Sequence, residues 1–364
     1  MKKRRKRLIT RRVNIRVGDF SKPFQVFCNN EAISKLLKGV LKLPHNDLKN
    51  FRREIILNAE QITLENRKDL QFMFIDVHAH AYRKVPVYGP KGGRQWVTPE
   101  KLISFYDRHH IEKGCLMPLL GPEFYPPQPN EDILEAAERF PDRFIPFCNV
   151  HPYAVNYTPH APLEMIFEQY KEKGCKGVGE VTFNLSFLDP YMQNFFRAVD
   201  KTGLPMTFHL AHRLGGCYGI YDEPGLPGLA ETLERFPNLK MLGHSQTFWA
   251  EIGVLECVYD RAGYPRGPVK EGAVPKLMRR FPNLYGDLSA GSGANALMRD
   301  EEFAIQFLTE FQDRLCFGMD VCLDPTDENA KLVYFLLKLR DEKKISEEIF
   351  RKVAKENIIR LLGL

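Results

Sequence analysis

From residue 71 onward the chain repeats one pattern eight times, a short apolar run followed by an amphipathic stretch. That alternation marks βα units, in which each parallel strand reaches the next through a crossover helix. The apolar runs place strands at Phe72–Val77, Cys115–Leu119, Phe144–Val150, Gly177–Val181, Pro205–Leu210, Leu239–Gly243, Leu284–Leu288 and Leu315–Met319. Helices are expected at Pro99–Lys113, Glu131–Phe140, Pro162–Lys173, Tyr191–Thr202, Gly228–Phe236, Val269–Phe281, Glu301–Asp313 and Glu328–Arg340. Eight of each is the count of a (β/α)8 TIM barrel, an α/β fold of roughly 250 residues. An open doubly wound sheet would use the same units, but no GxGxxG follows the first strand. A further helix closes the chain at Ser346–Leu362, where Ser346 ahead of Glu347 and Glu348 suits a helix N-terminus.

Residues 1–70 read differently. They carry a net charge of +11, against −5 for residues 71–364. Residues 1–30 look irregular, and residues 31–70 look helical, with Ala32, Ile33, Leu36, Leu37, Val40 and Leu41 near helical spacing before Pro44. This gives a basic, partly helical N-terminal extension over residues 1–70 and a barrel domain over 71–364. The basic start, Met1-Lys-Lys-Arg-Arg-Lys-Arg7, precedes no apolar core of signal-peptide length, and no apolar run approaches the ~20 residues of a membrane span. A polyanion is a conceivable partner for such a tail, but a solvated tail is the simpler reading. Eight cysteines form no CxxC pair, and Cys115, Cys148, Cys175 and Cys316 sit inside apolar runs. That usage fits reduced thiols in the cytoplasm.

In barrels of this kind the chemistry sits where the strands end. Reading each strand to its end gives Asp76-Val-His-Ala-His80, Gly179-Glu180, Phe208-His209, Gly243-His244, Gly286-Asp287 and Gly318-Met-Asp320. Four of the ten histidines therefore fall at strand ends. Alternate residues of a strand point the same way, so His78 and His80 can both face the barrel mouth. Two imidazoles on one face suit a divalent transition metal. Taken singly, an HxH pair or a histidine near a strand end is common; the set in this order is not.

Across about Phe72 to Leu364 the sequence resembles the amidohydrolase superfamily, in particular its amidohydrolase-related group of metal-dependent hydrolases, lactonases and decarboxylases. The resemblance rests on Phe74-Ile-Asp-Val-His-Ala-His80, Pro141-Asp-Arg-Phe144, Gly203-Leu-Pro-Met-Thr-Phe-His209 and Phe236-Pro-Asn-Leu-Lys-Met-Leu-Gly-His244. It continues in Phe281-Pro-Asn-Leu-Tyr-Gly-Asp-Leu-Ser289, Asp313-Arg-Leu-Cys-Phe-Gly-Met-Asp320 and Glu356-Asn-Ile-Ile-Arg-Leu-Leu-Gly363. It implies that His78, His80 and His209 bind metal, that Asp320 binds metal and acts as a base, and that His244 polarises substrate or moves protons. Glu180 departs from the single-metal pattern. The superfamily's binuclear deoxyribonuclease branch places a glutamate on its fourth-strand motif, so Glu180, with His244 as a further ligand, is a candidate bridge between two ions and otherwise a supporting carboxylate. Zinc is the default for a histidine-rich site, and manganese fits a mixed histidine–carboxylate set.

The loops at the strand ends would choose the substrate. Arg94, Arg213, Trp249, Arg266 and Arg299 are the candidate substrate-binding residues, and several arginines suit a carboxylate on a small molecule. Ser289-Ala-Gly-Ser-Gly-Ala-Asn295 reads as a glycine-rich loop, but it lacks the lysine of a phosphate-binding P-loop. No GxSxG elbow supports serine hydrolysis. The expectation is a metal-dependent hydrolase of a small, anionic amide, ester or lactone, acting through a metal-bound hydroxide. A non-oxidative decarboxylase of an aromatic or unsaturated acid uses the same ligands. A nuclease is disfavoured by the net −5 barrel, and a non-catalytic metal-binding protein by the complete ligand set. A homodimer is expected only from the frequency of twofold symmetry.

Overall fold

The computed structural model describes residues 11–15, 24–28, 73–86, 95–124 and 127–364. The chain divides into two units, Met1–Gln71 and Phe72–Leu364. In the first, β1 (Arg11–Ile15) and β2 (Phe24–Cys28) pair antiparallel, with Val13 opposite Val26 and Ile15 opposite Phe24. The irregular reading of residues 1–30 is corrected at these two segments. Val13 and Ile15 alternate with Arg12 and Asn14, a period of two too short to stand out beside the surrounding basic residues. The helical expectation for residues 31–70 lies outside the described residues.

The second unit is built on eight parallel strands. These are β3 (Phe74–Ala79), β4 (Ile111–Leu116), β5 (Phe144–Pro146), β6 (Val178–Val181), β7 (Met206–Ala211), β9 (Met241–His244), β10 (Leu284–Asp287) and β11 (Leu315–Cys316). A two-residue strand, β8 (Ile220–Tyr221), pairs beside the end of β7. The order runs β3-β4-β5 in one ladder and β6-β7-β9-β10-β11 in the other. Single parallel bridges join the two: Cys148 with Val178 past β5, and Ala79 with Val321 past β11. At the second junction Val77 N–H donates to Phe317 O, Asp320 N–H to His78 O and His80 N–H to Val321 O. First and last strands are thereby neighbours, as a barrel requires.

Strand bounds shift where pairing and apolarity part company. β4 starts at Ile111, not Cys115, because Ile111 and Lys113 pair with Phe74 and Ile75 although Glu112 and Lys113 are charged. The glycine-rich stretch after β10 is not a loop: residues Ala290–Met298 are helical. Gly293 is required there, since a Cβ would lie 2.2 Å from Leu288 O. Close backbone approach outweighs the poor helix propensity of glycine.

The outer helices follow ordinary rules. Pro190–Thr202 starts with Asp189 accepting from Tyr191 N–H and with proline at its first position, and it stops at Gly203 in the left-handed region. Met192, Phe195, Phe196 and Val199 make its buried stripe. Each large apolar side chain contributes about 1.5–3 kcal/mol on burial, so Phe196→Ala should cost about 3–5 kcal/mol. The closing helix begins, as expected, at Ser346, whose Oγ accepts from Ile349 N–H at 3.1 Å. Its last turn sends Ile358, Leu361 and Leu362 into a cluster with Ile75, Val77, Met117, Phe147 and Leu242.

Candidate metal centre

The polar strand ends converge. His78 lies in β3 with His80 just beyond it, Glu180 in β6, His209 in β7, His244 at the end of β9, Asp287 at the end of β10, and Asp320 past β11. The four imidazoles and the carboxylates of Glu180 and Asp287 are buried. Asp320 alone opens outward, with its side chain 24% exposed.

Their hydrogen bonds fix which ring nitrogens face inward. His80 Nδ1 lies 2.8 Å from Met117 O, which only accepts, so Nδ1 carries the proton and Nε2 a lone pair. His78 Nδ1 lies 2.6 Å from Asp287 Oδ2, another acceptor. The two Nε2 atoms nonetheless sit 3.1 Å apart. With neutral rings this places two lone pairs against each other, and a cation between them removes the repulsion.

Carboxylates complete that position. Glu180 Oε2 is 3.5 Å from His78 Nε2 and 3.4 Å from His80 Nε2, and Asp320 Oδ1 is 3.7 and 3.6 Å from the same atoms. Ligand bonds of 2.0–2.2 Å in a tetrahedron give donor separations of roughly 3.3–3.6 Å. The five separations given, 3.1–3.7 Å, lie close to that spacing. The second oxygens look the other way: Glu180 Oε1 is 2.7 Å from His209 Nδ1 and 3.8 Å from His244 Nε2, while Asp320 Oδ2 is 3.6 Å from His244 Nε2. Two of the described groupings able to hold an ion are thus His78–His80–Glu180 and Glu180–His209–His244, sharing Glu180. His209 falls with His244, not with the HxH pair.

The electrostatics point the same way. Burial disfavours a charge on His78, but Asp287, Asp320 and Glu180 raise its pKa well above the ordinary imidazole value. Burial alone would also protonate Glu180. The charge of His78 and hydrogen bonds from His209, His78 and His80 instead hold it well below the usual carboxylate range. A surplus of negative charge at a dry site is a place for a cation.

Further contacts position these groups. Asp76 Oδ1 accepts from His78 N–H at 3.0 Å and Met319 N–H at 2.8 Å, and Tyr106 donates to Oδ2 at 2.8 Å. Asp76 thus ties the ends of β3 and β11 together. Asn149 donates to Glu180 O at 2.7 Å. Ser289 Oγ meets His244 Nδ1 at 2.9 Å. Asp320 (φ 51°) and Ser245 (φ 111°) are non-glycine residues in the left-handed region, a strain of about 1–3 kcal/mol each that collects at functional sites. Asp287 and Ser289 were not among the expected site residues. A strand-end Gly286-Asp287 was the only visible signal of the first.

The substrate candidates scatter. Arg94 lies outside the described residues. Arg213 is exposed and donates to Gly216 O in its own loop, and Arg266 is exposed on the segment after Tyr264. Trp249 is corrected: it is 2% exposed and donates to Asp287 O at 2.8 Å, so it packs beneath the centre. Arg299 is half-buried against Gly253, with its Nε buried and unpartnered. Tyr218, not anticipated, sets its ring 4.5 Å from that of His209.

Residues 123–364 match the family model described as Amidohydrolase. Among solved structures, an uncharacterized Tim-barrel protein from Bordetella bronchiseptica is similar at TM-score 0.53 and 16% identity, covering 80% of this chain and 98% of its own. A 2,6-dihydroxybenzoate decarboxylase from Rhizobium is similar at TM-score 0.51 and 16% identity, with 80% and 98% covered. A probable 2-pyrone-4,6-dicarboxylic acid hydrolase from Acinetobacter baumannii is similar at TM-score 0.50 and 17% identity, with 80% and 100% covered. These likenesses establish the TIM-barrel fold. No curated protein matches the chain.

Proposed function

This chain belongs to the amidohydrolase family, and from that premise we propose that it hydrolyses a small, anionic amide, ester or lactone with the help of zinc. Members of the family are metal-dependent hydrolases or decarboxylases. The observation that carries the reading is the facing of His78 Nε2 and His80 Nε2 at 3.1 Å, each with its Nδ1 already engaged.

We assign His78, His80, Glu180 and Asp320 to one ion, and Glu180 with His209 and His244 to a second, so that Glu180 bridges. This moves His244 from proton carrier to ligand. Such ions lower the pKa of a bound water from ~15.7 toward ~7 and polarise a carbonyl. The protein supplies the proton handling. Asp320 is the carboxylate open to the mouth, and the charges of His78 and His244 offset its burial and hold it below its ordinary pKa. It is therefore ionised, ready to take a proton from water and return it to the leaving group. Buried Asp287 and Ser289 keep His78 and His244 in one orientation. Arg213 and Arg266, exposed on loops after β7 and β9, would meet the substrate's anionic group.

Cys115, Cys148, Cys175 and Cys316 are buried thiols outside any disulfide, which supports a reducing, cytoplasmic setting. No described helix is long and apolar enough to cross a membrane.

Metal analysis and product assay test the assignment together. Two equivalents of zinc per chain, falling in Glu180→Gln, with hydrolysis of an ester or lactone panel that includes 2-pyrone-4,6-dicarboxylate, is the expected result. One equivalent in both proteins sinks the bridge. Carbon dioxide release from an aromatic acid, with no hydrolysis, makes the protein a decarboxylase instead.

A further inference from the structure

On the His209 side the centre is walled by residues 212–219, which follow β7. One side chain staples this loop. Asn184 donates from Nδ2 to Arg213 O at 3.1 Å and to Gly219 O at 3.0 Å, and its Oδ1 accepts from Gly215 N–H at 2.5 Å. Gly219 takes a φ of 108° and donates to Thr182 O at 2.6 Å. A Cβ on Gly219 would lie 2.8 Å from His209 Cδ2, so the loop rests directly on that imidazole.

The staple gives Tyr218 one position. Its ring centroid is 4.5 Å from that of His209, tilted 54°, and 4.8 Å from that of Phe124, tilted 48°. The ring is held on two sides, yet the residue remains 39% exposed. Its hydroxyl makes no hydrogen bond with any described residue. A phenol beside a buried polar centre ordinarily has a partner. A phenol hydroxyl is a donor at neutral pH.

We propose that Tyr218 is a substrate-contacting residue: its hydroxyl donates to an oxygen of the bound substrate while its ring packs on the substrate's face. The proposal rests on the reading of the centre as a metal site for a small anion. A clamped ring costs little ordering on binding, and its free donor selects ligands that present an acceptor on the His209 side. Asn184 is the positioning residue, acting through the loop.

The test uses the full-length, zinc-loaded protein and isothermal titration with two probes of equal charge, planar benzoate and puckered cyclohexanecarboxylate. Tyr218→Phe keeps the ring and should bind benzoate about three- to tenfold more weakly, the loss of one hydrogen bond. Tyr218→Ala should bind about tenfold more weakly again and lose the preference for benzoate over cyclohexanecarboxylate. Zinc content should equal wild type in both variants. If both variants retain zinc and bind benzoate as wild type does, Tyr218 does not touch the substrate and the proposal falls alone. If the zinc-loaded wild-type protein binds neither probe, the anion-site reading falls and takes the proposal with it.

Discussion

His78 and His80 present their Nε2 atoms to each other at 3.1 Å while Asp287 and the carbonyl of Met117 hold the opposite nitrogens. Such a pair is stable only with a positive charge between or upon the rings. Chelation of the purified protein should therefore lower its melting temperature, and added zinc should restore it. At a free zinc concentration 100 times Kd, binding to the folded state alone contributes about 2.7 kcal/mol. Differential scanning calorimetry with and without chelator checks this; identical transitions would rule out a bound ion.

Asp287 is not a ligand in the proposed assignment, yet it should matter to metal binding through His78. Asp287→Asn removes the charge that orients His78 and offers an amide group in place of the carboxylate. Zinc affinity should fall about 10- to 100-fold, the usual cost of losing such a support. Competition with a fluorescent zinc chelator measures it, and an unchanged affinity counts against the orienting role.

The raised pKa of His78 makes stability depend on pH in a definite sense. The folded, metal-free protein holds this proton more tightly than the unfolded chain does. The gain is complete below about 6.5 and disappears as pH rises through the folded value. Metal-free protein should therefore lose stability toward alkaline pH. A bound ion displaces the proton, so zinc-loaded protein should not share that loss. Parallel melting curves for the two forms from about pH 6.5 to 9.5 would refute it.

Ser346 provides a control remote from the centre. Its Oγ accepts from Ile349 N–H at the start of the closing helix. Ser346→Ala should cost about 0.5–2 kcal/mol without altering zinc content. A denaturant titration resolves such a change, and a loss of zinc in this variant would mean that the closing helix communicates with the site.

How much of this was legible in the sequence depended on distance along the chain. Strand ends are local features, so His78, His80, His209, His244 and Asp320 were visible from strand order alone. Glu180 was visible too, as a candidate bridge, but which of its oxygens faces which histidine was not. Contacts over long separations left no trace: Asp287 meets His78 across 209 residues. Trp249 was misplaced because an aromatic residue soon after a strand end looks the same whether it lines a mouth or packs under it. Ala290–Met298 was missed for the reason that makes it fold, since the small residues that let it pack closely also resemble a loop.

The junction at Asp76 gives the centre an order of assembly. Its carboxylate accepts from His78 N–H, two positions away, and from Met319 N–H, 243 positions away. During synthesis the HxH pair leaves the ribosome early, but its neighbouring strand and Asp320 arrive near the end of the chain. A nascent or truncated product ending before Asp320 carries every histidine of the site without its open carboxylate or its strand-to-strand tie. On the proposed assignment, filling the position shared by His78, His80 and Asp320 would then report that the first and last strands have met.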